Sequence, residues 1–144
     1  MPATPPYAEL LQHAGEAQAL SRDILHLTAD FARRSHSTTR AGTVVLAHLA
    51  TAAISSHAVP AFAKTAEIAL SLPRSAGPTD RQHSENRMVI DHATARAYLR
   101  RSSDSLRHAA KELNDHLDIH RFFRPSPPQQ SPTPPPPGPS GRHR

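Results

Sequence analysis

The spacing of apolar residues predicts an all-α fold: an elongated, mostly antiparallel bundle of three long helices with a disordered proline-rich C-terminal tail. Three observations carry that prediction. Apolar residues recur every three to four positions over three long stretches, the period of a helix and not of a strand. Short hydroxyl- or proline-bearing segments separate the stretches. From Pro125 onward nearly half the residues are proline. The organisation expected is a helical domain over 1–124 and a tail over 125–144, within the size of one domain.

The first helix is expected over about Pro5 to Arg34, capped by Thr4 with Pro5 in the first helical position, where a missing N–H is no loss. Leu10, Ala17, Ile24 and Phe31 recur every seven residues, with Leu20 and Leu27 beside them. The run Ser35-His36-Ser37-Thr38-Thr39 breaks the stripe and supplies hydroxyls for the next cap.

The second helix is expected over about Thr39 to Leu72. Val44, Val45, Leu46, Leu49, Ile54, Val59, Phe62, Ile68 and Leu70 make it the most apolar of the three, which predicts the most enclosed element. Pro60 lies inside it. A proline there removes a hydrogen bond and crowds the preceding turn, so the helix kinks near Ser56 and His57, or breaks and leaves four helices. In a break, Ser55 or Ser56 would cap the new helix.

The segment Pro73 to Pro78, with Gly77, reads as a loop. Thr79 with Gln82 matches a capping box opening a third helix that runs to about Phe123. Met88, Ala95, Leu99, Leu106, Ala109, Ala110, Leu113 and Leu117 share a face. Arg87 with Asp91 and Arg100 with Asp104 are spaced for ion pairs on the opposite, solvated face. At about 1.5 Å per residue this helix outreaches its neighbours, so one end protrudes or bends. The tail lacks apolar surface to offset its ordering entropy.

Composition excludes several chemistries. The chain has no cysteine, which removes disulfides, thiolate catalysis and cysteine-ligated zinc, and fits a reducing compartment. No basic segment followed by an apolar run opens the chain, so no signal peptide is expected and the localisation expected is cytoplasmic. The formal net charge is +5, two of those charges being Arg142 and Arg144 in the tail. That is a mild bias toward acidic partners. Thr43 to Ala63 carries no formal charge, but His48, His57, several hydroxyls and Pro60 keep its hydropathy below the usual spanning level. A bundle helix explains it without a bilayer, and no membrane span is expected.

No catalytic or cofactor motif is present. There is no Gly-x-Ser-x-Gly elbow, no glycine loop that cradles phosphate and no Glu-x-x-His pair. Asp23-x-x-His26 lies opposite the first helix's apolar stripe, and Asp80-x-x-His83 sits at a helix start. No enzyme activity and no cofactor are expected.

Two constellations remain. Asp104, His108, Glu112, His116 and His120 step by four along the third helix. Such a row drifts about 40° per step, a slanting ridge whose members cannot all serve one ion. Its best metal-binding pair is His116 with His120. Arg96, Arg100, Arg101 and Arg107 form a second constellation, able to contact phosphates, although acidic neighbours and the lack of interleaved aromatics weaken it. Pro132-Thr133-Pro134-Pro135 matches Pro-x-x-Pro ligands, as any proline-dense stretch does. The function expected is therefore a non-catalytic interaction protein that binds another protein or a second copy of itself. The alternative is a weak nucleic-acid-binding accessory protein using the arginine ridge.

Overall fold

A computed structural model describes residues 5–122 and 132–138. Four α-helices make up the body: α1 (Tyr7–Ala32), α2 (Arg40–Ala52), α3 (Ala58–Ser71) and α4 (Pro78–Phe122). No strand occurs among the described residues. A 3-10 segment, Ala53–His57, joins α2 and α3 into one rod, so the molecule is a bundle of three rods.

The 3-10 link is where Pro60 acts. Pro60 is the third residue of α3, and its ring crowds the carbonyl four residues back, at Ser56. The chain answers by tightening: Ala52, His57 and Ala58 all keep right-handed helical dihedrals. The rod is thus distorted at the predicted place without breaking. Neither Ser55 nor Ser56 caps α3, since His57 occupies that position and no side chain bonds there.

Other ends differ from expectation. α1 starts at Tyr7 behind Pro6, so Pro5 is outside the helix, and Thr4 lies outside the described residues. α4 starts at Pro78, and the Arg81 amide donates to the Gly77 carbonyl at 3.0 Å. Proline suits a first helical turn because the amide it lacks has no partner there. Thr79 is therefore inside the helix, and Gln82 donates to Asn86 Oδ1 at 3.0 Å instead of closing a capping box. The hydroxyl run does supply the next cap, which falls to Thr39, its hydroxyl accepting from the Gly42 amide at 3.0 Å.

Cross-rod contacts establish an antiparallel register. Phe62 meets His92, His57 meets Tyr98 and His48 meets His108, so numbering rises along the second rod as it falls along α4. α1 runs antiparallel to the second rod on its other flank, with His13 against Phe62. α1 and α4 pack on the second rod and barely on each other.

Burial divides in two. One cluster joins Leu10, Ala14 and Ala17 of α1, Ala58, Ala61, Phe62 and Ala66 of α3, and Ala95 of α4. The other joins Phe31, Val45, Leu49 and Ala109, edged by Leu46, Leu106 and Leu113. Between them sit buried small polar residues around the 3-10 link: Ser21, Ser55, Ser102 and Ser105. Ser102 donates to the Ala52 carbonyl at 2.6 Å, pinning α4 to the end of α2. The Ser55 hydroxyl is buried with no partner.

Expected core positions hold on α1, where Leu10, Ala17, Ile24 and Phe31 are buried. Leu27, placed beside that stripe, is 51 % exposed. On α4 Met88, Ala95 and Ala109 are buried, whereas Ala110 and Leu117 are exposed. The expected Arg87–Asp91 and Arg100–Asp104 pairs do not form. Asp104 is taken by Arg107 at 3.3 Å, and a buried oxygen of Asp91 has no partner. At roughly 1.5 Å per residue, α4 spans about 68 Å against about 39 Å for α1.

The second rod is the most enclosed of the three, as expected, because α1 and α4 both pack on it, but one side of it stays open. Arg40–Arg74 is long and apolar enough, by length and composition, to cross a membrane, yet only 28 % of its most apolar stretch is buried. α1 and α4 cover two of its sides. Thr43, Ala47, Ala50, Pro60 and Ala63 are exposed along this rod, with half-buried Ile54 and exposed His57, whose ring also meets Tyr98, between Ala50 and Pro60. No formal charge interrupts that strip.

The described part of the tail, residues 132–138, is exposed and carries no regular secondary structure. The expected domain boundary after residue 124 and the rest of the tail lie outside the described residues.

Candidate functional site

Histidines concentrate along the contacts of the second rod. His36, on the 3-10 turn Ser35–Thr38 that joins α1 to α2, faces His116 and His120 near the end of α4. The three ring centroids are 5.5 Å (His36–His116), 5.5 Å (His116–His120) and 5.9 Å (His36–His120) apart. His116 Nε2 is buried and has no hydrogen-bond partner. Further along the α2–α4 seam, the rings of His48 and His108 lie 5.3 Å apart.

The turn that carries His36 is held from both sides. Thr39 caps α2 and also donates its hydroxyl to the His36 carbonyl at 2.7 Å. Gly42 is buried against this turn, and a Cβ there would overlap the His36 carbonyl oxygen and crowd Ser37 Cα. Only glycine permits this approach of α2 to the turn.

A second constellation lies between α1 and α4. Pro5, His13, Phe62, His92, Arg96 and Leu99 line a concavity of about 340 Å³. Phe62 meets His13 at 5.6 Å and His92 at 5.9 Å. His13 is clasped by Glu9 at 3.5 Å and Glu16 at 3.4 Å. Hydrogen bonds from Gln12 first, then His13, hold the Glu16 carboxyl below its ordinary value. Burial pushes the His92 imidazole below 6.5, helped by the positive charges of Arg96 and His13 and opposed by Glu9.

The row of five residues read along α4 does not act as one site. His108 turns to α2, His116 and His120 to the 3-10 turn, and Asp104 to Arg107. Among the described residues no group of three or more histidine, aspartate or glutamate side chains is arranged to hold a metal ion as the rings stand. The membership of His36 was invisible in the sequence, because it depends on the register between two rods. The spacing of His116 and His120 was visible.

The arginine ridge is partly assembled. Arg96, Arg100, Arg101 and Arg107 are all exposed. By helical geometry Arg96, Arg100 and Arg107 fall within about 40° of one another, and Arg101 lies about 100° from Arg100. Arg107 is paired with Asp104, and among the described residues the other three make no ion pair.

Buried hydroxyls that make hydrogen bonds make them to helix carbonyls, as in Thr65 to Ala61 at 2.9 Å and Ser102 to Ala52. No protein family, curated protein or solved structure matches the chain.

Proposed function

We propose that this chain is a non-catalytic interaction module that self-associates through the uncovered side of its second rod. One observation carries the reading: although the second rod is the most enclosed of the three, only 28 % of its most apolar stretch is buried. Ala47, Ala50 and Ala63 on that side are small enough for another helix to approach closely, and no charge there demands solvent. Beside it, Leu25, Val59 and Pro60 together with the polar Gln18, Arg22 and Ser56 line a groove of about 460 Å³ between α1 and α3. Large apolar side chains stand out elsewhere, including Ile90 at 63 % exposure and Phe122 at 89 %. No membrane span, no cofactor and no catalysis belong to this reading, which keeps a cytoplasmic location.

Because the chain has no cysteine, a single introduced thiol reports the interface cleanly. Ala50→Cys is expected to form a disulfide-linked dimer under mild oxidation, while Ala97→Cys, exposed on α4, stays monomeric. Equal cross-linking at both positions, or none at Ala50→Cys, contradicts the proposal.

A second reading rests on the three arginines of α4 that lack ion-pair partners among the described residues. Phosphate contact by Arg96 and Arg100 predicts binding to nucleic acid that weakens steeply with salt. Arg100→Glu with Arg101→Glu removes it if it exists. No detectable binding at low salt eliminates this reading.

A further inference from the structure

We propose that His36, His116 and His120 form a binding site for a divalent transition metal of the zinc type. Three features of the structure converge on it. First, His116 and His120 are spaced i, i+4 on one helix, the arrangement by which paired imidazoles reach a common zinc ion. Second, His36 is brought to them from a separate element, and its backbone is fixed by the Thr39 hydroxyl and by the close approach of Gly42. Third, His116 Nε2 is buried with no partner, a donor atom withdrawn from water that no protein group satisfies.

The spacing is close to what coordination requires. With metal–nitrogen distances of about 2.0–2.1 Å and tetrahedral angles, neighbouring imidazole centroids lie roughly 5 Å apart. The three observed separations are 5.5, 5.5 and 5.9 Å. The rings do not converge on one point as they stand: His116 and His120 are stacked at 28°, and His36 meets both edge-on. Coordination by all three therefore requires the rings to rotate and to draw closer together. His120 is exposed, which leaves the cluster open to an ion from solvent. Neutral imidazole selects zinc, copper, nickel or cobalt over calcium and magnesium, which take oxygen ligands. A bound ion would tie the α1–α2 turn to the last turns of α4 and stabilise the folded chain by mass action.

The test uses the full-length, untagged chain titrated with zinc, and with cobalt as an optical probe. The expected result is saturable binding of a single ion, a tetrahedral cobalt spectrum, and a rise in melting temperature with zinc. His36→Ala should weaken affinity by more than the roughly 10–100-fold that loss of an outer-shell partner costs. His48→Ala should leave it unchanged. Should His36→Ala fail to fold, imidazole NMR of the unaltered chain decides, with only the resonances of His36, His116 and His120 moving as zinc is added. Absence of saturable binding overturns the proposal. So does binding that survives His36→Ala, or that is lost with His48→Ala, or that moves a different set of imidazoles.

Discussion

The two halves of this bundle are built from different materials. On the α3 side of the 3-10 link, α1, α3 and α4 meet through alanines, and Phe62 is the one large aromatic among Leu10, Ala14, Ala17, Ala58, Ala61, Ala66 and Ala95. On the α2 side the buried residues are bulkier, Phe31, Val45 and Leu49, and histidines line the contact with α4. The alanine-rich half gains close backbone approach, with Phe62 and Leu10 its large buried side chains and half-buried Val59, Tyr98 and Leu99 packed against them. The other half gains area from several side chains and shares its seam with five imidazoles. Buried serines at the 3-10 link separate the two, so each half has its own core.

Truncation should expose this difference most strongly. Phe62→Ala removes the one buried ring of its cluster, and a loss of about 3–5 kcal/mol by denaturant unfolding is expected. Leu49→Ala falls where Phe31 and Val45 remain and should lie near the lower end of the roughly 2–5 kcal/mol range for leucine truncation. Equal losses would mean that the halves are not separate cores.

A second way to sharpen the comparison acts on the histidine-lined half alone. Gly42→Ala places a methyl group against the His36 backbone, and overpacking of this kind costs about 1–3 kcal/mol. The displaced turn should carry His36 away from His116. Unchanged stability in Gly42→Ala, measured by thermal unfolding, would show that α2 does not press on the turn as described.

The smallest effect expected is a pH dependence in the alanine-rich half. The His92 imidazole sits below 6.5 in the folded chain, chiefly through burial and then through Arg96 and His13. The unfolded chain therefore takes up this proton first as pH falls. Stability from neutral His92 is fully present above about 6.5 and is lost as pH drops from there through the folded value. Replacing His92 with glutamine should flatten that part of the melting-temperature profile. A profile that stays equally steep would assign the pH dependence to other groups.

How far the sequence could be read follows the same division. The three rods, the distortion ahead of Pro60 and a cap from the hydroxyl run before α2 are local consequences of periodicity, ring geometry and hydroxyl placement, and all three were legible. The start of α4 was not, because proline at the first position and Thr79 as a cap both obey sound local rules and only the fold chooses between them. Ion pairs were misassigned for a related reason: Asp104 has arginines both three and four residues away, and Arg107 takes it. The histidine cluster was half legible. His116 and His120 are neighbours by helical spacing alone, whereas His36 joins them through a turn whose position depends on Gly42. That the second rod is the most enclosed of the three was legible from its apolar composition, but its one open side was not, since composition reports what a helix can bury and not how many neighbours come to bury it.

That open side is the centre of the account, and its direct test is molar mass by light scattering across a concentration series of the full chain. Wild type is expected to pass reversibly from monomer to dimer, and Ala47→Glu with Ala63→Glu, which put charges on the uncovered strip without touching either core, should hold it as a monomer. A wild-type chain that stays monomeric at every concentration, or a double variant that dimerises as wild type does, would contradict it.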